Sequence, residues 1–449
     1  MHTRLSIMAS FIERLPAELL DLITANLEAT PYGSFRLASR LLYLTTLPEF
    51  RRRFFSTIKS SLNSSSLTML VELSQSHLAG TVKELCIQPR RRPKLPLAKT
   101  REKPFFRGKS EFLKAQEIAK ASKENAEREL FDDFMNGTSL ELRVAPLSTA
   151  LHGFFNLTLI RFYLIDSLAV QGQMFKKSSC IEFQSRCFRL ILDAILTSGV
   201  KLEEFSMAEI DFMRDSCAIV PHHAFKLPTP YLVTLSDAFH RLQSLNLCIS
   251  ATYNGTARLP GWEDGISQFI SAASELESLS LHLDGPGAYS RFTLPIMDSL
   301  ARSTILPKLK TFQIQGSMFH EHDLARFVLQ HSATLSDVSL AYSRLQNGSW
   351  KSLLTTFRES LNLQRFSLIF PMQGDDRLTF PDFDNMWCLY VDTTDQEEDR
   401  TMYDALTMAI EHHEIGFEQD PECEAHYDSD KDPPDAPWPT HHQIESESE

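Results

Sequence analysis

The side chains capable of chemistry are scattered, and their spacing points away from catalysis. Seven cysteines, at positions 86, 180, 187, 217, 248, 388 and 423, never stand as C-x-x-C, and no Cys/His pairing has the spacing of a zinc site. A dispersed, odd-numbered set is the pattern of reduced thiols, most of them small core side chains of a cytoplasmic or nuclear protein. Three adjacent pairs, His222-His223, His412-His413 and His441-His442, make poor ligand sets, because neighbours diverge by about 100° on a helix and face opposite sides of a strand. The chain holds no G-x-S-x-G, G-x-x-x-x-G-K-[ST], G-x-G-x-x-G or H-E-x-x-H. No residue is therefore assigned a catalytic or metal-binding role, and no cofactor is expected. What remains is noncovalent recognition. Ser206, Asn246, Ser280, Gln313, Ser339 and Ser367 are its best candidates, small neutral hydrogen-bonding groups at matching places in a recurring pattern. They suit recognition of a protein surface, and a solvated face would explain them equally well.

The pattern that must position them is L-x-x-L-x-L. It recurs as Leu202/Phe205/Met207, Leu242/Leu245/Leu247, Leu276/Leu279/Leu281, Leu309/Phe312/Ile314, Leu335/Val338/Leu340 and Leu363/Phe366/Leu368. Weaker copies stand at Val82/Leu85/Ile87 and Leu157/Ile160/Phe162. The last two apolar residues alternate, so each copy predicts a strand with both on one side and the polar residue between them on the other. Helical patterning precedes most copies, as in LPIMDSLARS and WKSLLTTFRES. The repeating unit is thus helix, turn, short strand. This signature resembles that of leucine-rich repeats, which places Asn or Cys three residues after the final leucine to satisfy buried backbone groups. Here those places hold Ser250, Asp284, Ser317 and Ser343, but Ile210 and Pro371 in two copies, so a degenerate array is expected.

The first sixty residues carry a different period. Leu15, Leu19, Leu20, Ile23 and Leu27 step by 4, 1, 3 and 4, one stripe of a helix with Pro16 at its start. Pro31 and Gly33 are expected to break the chain, with Ser34 capping a second helix that carries Phe35, Leu37, Ala38, Leu41 and Leu42. After Pro48 a third helix is expected to run through Phe50, Phe54, Phe55, Ile58 and Leu62, opposite Arg51, Arg52 and Arg53. Three apolar stripes leave more greasy surface than so small a body can bury, which suggests a partner-binding face; an ordinary helical cap is the plainer explanation.

The order LPAELLDLITANL, a short break, FRLASRLL and a proline-led third helix resembles the F-box, the module that docks onto the Skp adaptor of cullin-based ubiquitin ligases. The match covers about Phe11 to Phe55, with Phe50 and Phe54 where many members carry a third-helix tryptophan. The resemblance implies adaptor contacts at Leu15, Pro16, Leu19, Leu20, Ile23, Leu37 and Leu41. The expected molecule is an α/β protein: a three-helix F-box over 11–62, an irregular leucine-rich-repeat-like solenoid over 66–391, and a mostly disordered acidic tail over 392–449. Its expected role is substrate recognition in an Skp–cullin–F-box ubiquitin ligase, without enzymatic activity of its own.

Composition and charge bound the alternatives. The 449 residues are 43% hydrophobic, normal for a packed protein. No apolar run reaches the roughly 18 residues of a membrane span, and the N-terminal MHTRLSIMASFIERLP lacks the core of a secretion signal, so neither membrane nor secretion is expected. The net charge of −13 is uneven: residues 392–449 hold 19 acids against Arg400 and Lys431, leaving the rest at +4. Within that tail, Met402, Leu406, Met408 and Ile410 could line one amphipathic helix. A basic linker, 89–110, precedes a charged helix expected at 111–130. Two rival roles stand beside this one: an F-box-like protein-interaction scaffold without ubiquitin transfer, and a nuclear nucleic-acid-associated protein using the basic linker. Nucleic acid is the lesser expectation, because a basic run gives only non-specific phosphate contacts and the array offers no aromatic stacking platform.

Overall fold

The computed structural model describes residues 12, 15–89, 140–163, 178–208, 219–250, 261–283, 293–383, 387–394 and 401–416. Nearly all of the basic linker, the charged helix at 111–130, Asp284, and the tail beyond 416 lie outside the described residues.

Residues 17–55 form four short helices rather than three: α1 (Ala17–Ala25), α2 (Ala29–Leu37), α3 (Arg40–Thr45) and α4 (Leu47–Phe55). Pro31 and Gly33 do not break the chain. Pro31 is the third residue of α2, in the first turn, where a missing N–H removes no intrahelical bond. The break comes instead at Ala38-Ser39, where Ser39 Oγ accepts from the Leu42 N–H at 3.2 Å and caps α3. This shift brings Tyr32 inside. Its fully buried ring packs edge-on against Phe50 and Phe54, with centroids 5.3 and 5.6 Å away, and with Leu20 and Leu42 it forms the small core of the unit. Arg53 donates to the Thr24 carbonyl at 2.8 Å, placing a cation at the C-terminal end of α1.

The expected third helix also ends early. Ile58 and Leu62 are not helical: Ile58 lies on strand β1 (Thr57–Ser60), and Leu62 is a fully buried residue in the turn beyond it. β1 begins an eleven-stranded sheet whose order continues through β2 (Glu84–Ile87), β3 (Leu159–Phe162), β4 (Glu204–Ser206), β6 (Ser244–Ser250), β7 (Ser278–Leu283), β8 (Thr311–Gln315), β10 (Asp337–Ala341), β12 (Arg365–Ile369) and β15 (Cys388–Asp392). The short β5 (Val220–Pro221) pairs with β6. Every pairing is parallel except the last, β12 with β15. All eight copies of the apolar signature, weak ones included, supply a strand, and their three apolar positions are buried in one continuous core.

Helices fill the connections: α5 (Ser64–Ser74), α6 (Leu140–Gly153), α7 (Ser178–Ser198), α8 (Thr229–Ala238), α9 (Asp264–Ser271), α10 (Leu294–Ser303), α11 (Glu321–Gln330), α12 (Trp350–Ser360) and α13 (Met402–His412). Successive helices pack on one another, α5 on α6, α6 on α7, and α9 through α13 in turn. The parallel crossovers require this, because each strand must return to the same end of the sheet. The folded body does not stop at 391: α13, expected inside the acidic segment, buries Leu406 and Ile410 in the common core.

A second sheet, unannounced by the sequence, lines one end of the strands. β9 (Met318–His320), β11 (Arg344–Asn347) and β13 (Met372–Gln373) pair in parallel, extended by β14 (Asp376–Thr379) and β16 (Glu414–Gly416). Each of the first three follows a corner residue at positive φ: Gly316 at 71°, Tyr342 at 49° and Phe370 at 48°. The corners interlock, with the Gly316 N–H donating to Ala341 O at 3.0 Å and the Tyr342 N–H to Ile369 O at 2.8 Å.

Candidate partner-docking faces

The N-terminal unit divides the expected adaptor residues between two faces of α1. Leu20 is 1% exposed and points inward, so it belongs to the core of the unit and not to a docking surface. Thr24, also buried, continues the inward face. Leu19 and Ile23, four residues apart, are 44% and 46% exposed and point out. Leu37 is 81% and Leu41 50% exposed; Pro16 is exposed, and Leu15 is half-buried. Sequence periodicity treated one broad stripe as a single face, whereas the helix buries one side of it and leaves the other outside. Leu22, Tyr43 and Leu44 join the exposed group although no periodicity singled them out. Seven of the seventeen large apolar residues exposed among the described residues therefore lie between Leu19 and Leu44, a concentration that lone surface leucines do not produce.

The second candidate is the polar face of the large sheet. Strand register aligns Ser206, Asn246, Ser280, Gln313, Ser339 and Ser367 as consecutive partners in one row. The row continues through Arg161, Cys86 and Lys59 on one side and Tyr390 on the other, residues that the weaker signature copies, the first strand and the last strand supply. Ser280, Gln313, Ser339 and Ser367 are half-buried. Ser206 is corrected: at 2% exposure it is covered, and its hydroxyl donates to Ala208 O at 3.1 Å. Asn246 keeps a buried Oδ1 without a hydrogen-bond partner.

Several charges in and beside the row are paired within the sheet. Arg161 Nε meets Glu84 at 2.7 Å and its Nη2 meets Glu204 at 3.4 Å; Arg365 Nε meets Asp337 at 2.6 Å. Burial pushes the Glu84 carboxyl up, but hydrogen bonds from Thr57, Arg161 and Cys86 outweigh it and hold the group below its ordinary value. Asp337 behaves likewise: burial is outweighed by Arg365, Ser336 and Thr311. Burial and the Glu84 carboxylate push the Cys86 thiol up to about 12, which leaves it protonated and a poor nucleophile. The row can form hydrogen bonds with a docked surface.

Three further expectations meet the structure here. Ser317 and Ser343 are buried at the corners as expected, yet Ser317 Oγ has no partner and Ser343 Oγ bonds only to Ala341 O at 3.3 Å. Interlocking backbone bonds do the work assigned to those hydroxyls. His222 is buried against Trp262, ring centroids 4.5 Å apart, and His412 is held by Asp382. The array does contain stacked aromatics: Tyr342 lies on Phe370 (5.2 Å, 15° between planes) and Phe370 on Trp387 (6.4 Å, 21°), with the Arg377 guanidinium 5.5 Å from the Trp387 ring. Their inner faces cover one another, so this column differs from a platform open to nucleobases.

Among the described residues no helix is long and apolar enough to cross a membrane. The chain matches no protein-family model and no curated protein, so the reading of its surfaces rests on their own residues and geometry.

Proposed function

We propose that the chain is a non-catalytic substrate-recognition subunit of an Skp–cullin–F-box ubiquitin ligase. In this reading residues 17–55 are an F-box that docks onto the Skp adaptor, and through it a cullin. The eleven-stranded sheet and its helices form a leucine-rich-repeat-like solenoid that holds a protein substrate along the polar row. The contribution to ubiquitin transfer is proximity: a substrate held beside the ubiquitin donor reacts at a raised local concentration. One observation carries the proposal. The four helices bury a small core of their own, yet Leu19, Ile23, Leu37 and Leu41 remain outside it on a unit whose sequence resembles the F-box.

The test is co-purification of full-length chain with an Skp-family adaptor and cullin. Leu19→Asp with Ile23→Asp places carboxylates where the partner would cover them, at a cost of several kcal/mol, and abolishes capture while the melting curve stays unchanged. Undiminished capture by the double variant removes the F-box assignment. Leu20 is unsuitable for this purpose, because a charge there unfolds the unit and removes capture for a trivial reason.

A further inference from the structure

Arg36 stands in α2 with only 5% of its surface exposed. Its guanidinium carbon lies 4.5 Å from the Tyr43 ring centroid and 4.0 Å from that of Phe50, a sandwich of cation between two aromatic faces. Nε and Nη2 are buried, and neither has a hydrogen-bond partner. No carboxylate among the described residues pairs with it: Glu49, the acid of the neighbouring α4, is held by Arg52 at 2.6 Å. A guanidinium carries five donors and no means of losing its charge, so a buried one without an acceptor is a standing penalty. Ring faces offset part of that penalty and satisfy none of the N–H groups.

The surroundings say where the acceptor comes from. Arg36 is flanked in sequence by Leu37 and followed by exposed Leu41, Tyr43 and Leu44. Among the described residues Arg40 and Arg51 of the same unit also form no ion pair, and Arg51 Nε is a second buried donor without a partner. The face thus joins exposed apolar side chains to guanidinium donors without acceptors, beside the exposed acids Glu18, Asp21 and Glu28, and the unmet donors select a partner that is apolar and brings an acceptor oxygen.

We propose that the protein docking on this face supplies a carboxylate that completes the Arg36 guanidinium. The proposal rests on the reading of the face as the adaptor surface and adds the chemistry of its central contact. The free protein then holds Arg36 in a sandwich ready for the incoming acid, and the pair forms only in the complex.

Calorimetric titration of full-length chain with a purified Skp-family adaptor tests this. Arg36→Met keeps the length of the side chain between the rings and removes the charge. It weakens binding by at least about tenfold and leaves the melting midpoint of the free protein unchanged or raised. Arg36→Lys, which keeps the charge, recovers part of the affinity. Neutralising the adaptor's Asp and Glu residues singly identifies one whose loss weakens the wild-type chain and leaves Arg36→Met unaffected, the signature of a direct pair. Equal affinity for wild type and Arg36→Met, or the absence of any acid coupled to Arg36, overturns the proposal even where Met has unsettled the unit. A wild-type chain that fails to bind the adaptor is a different outcome, and overturns the docking reading together with this one.

Discussion

At the residue scale, adjacent leucines with the same local sequence carry opposite duties. Leu19 and Leu20 belong to one apolar run, yet only Leu20 is enclosed. Leu20→Ala is expected to destabilise the N-terminal unit by about 2–5 kcal/mol, and Leu19→Ala to change stability by less than about 0.5 kcal/mol. Chemical denaturation of the two variants checks this, and equal losses would mean that α1 is rotated from its described position. The sequence could not separate them, because a stripe broad enough for both a core and a partner has no internal boundary. Tyr32 was hidden for a related reason: flanked by Pro31 and Gly33, it stood where a helix was not expected, and the tolerance of first-turn proline restored the helix around it. The interlocked corners give a second residue-scale expectation. Gly316 at φ 71° tolerates the left-handed conformation that Tyr342 and Phe370 adopt under strain, so Gly316→Ala costs about 1 kcal/mol or more in denaturant midpoint analysis.

At the element scale, the strands were legible and the corners were not. Alternation of apolar residues marked eight strands and predicted their polar row, because burial on one side imposes a two-residue period that any sequence must honour. β9, β11 and β13 have no such period: they are two to four residues long and held chiefly by backbone bonds. Helix α11 shows how one element is tied to the next. At its C-terminal end His331 donates from Nδ1 to Phe327 O at 2.7 Å and accepts at Nε2 from the Leu306 N–H at 3.0 Å. That pattern requires the neutral ring, and burial accordingly lowers its pKa, with the Phe327 bond opposing. A folded value below the unfolded one means that the unfolded chain binds the extra proton, so stability falls as pH drops below about 6.5 toward the folded pKa. Melting curves from pH 7.5 to 5 are expected to show this decline, and His331→Gln to flatten it while lowering the midpoint at pH 7.5, since two buried bonds worth about 1 kcal/mol each are disturbed. An unaltered slope in the variant would locate the titration elsewhere.

At the scale of the whole molecule, the polar row is separable from the core behind it. Under the proposed function, Ser280→Arg with Ser339→Arg, which enlarges two half-buried positions on the open face, is expected to leave adaptor capture and the melting midpoint nearly unchanged while blocking substrate. Proteomic comparison of proteins accumulating with each variant reads this, and identical accumulation would place the substrate elsewhere. Groups beside the same row contribute to the acid sensitivity of the fold. Glu84 and Asp337 are held below their ordinary pKa values, so their stabilisation is complete above about pH 5 and disappears as pH falls through the lowered values. The junction at Ser56 has a mechanical meaning as well. Helix α4 passes into β1 through that one residue, whose carbonyl accepts from the Lys83 and Glu84 N–H groups at 2.8 and 2.9 Å. Those two bonds tie the end of α4 to the first pair of strands. With strands spaced about 4.8 Å apart, Asn246 lies roughly 19 Å along the sheet from β1 and Ser367 roughly 38 Å. Under the proposed function, a partner gripping the helices holds the sheet as the handle holds a graduated rule, and the strand on which a cargo settles sets its distance from the grip.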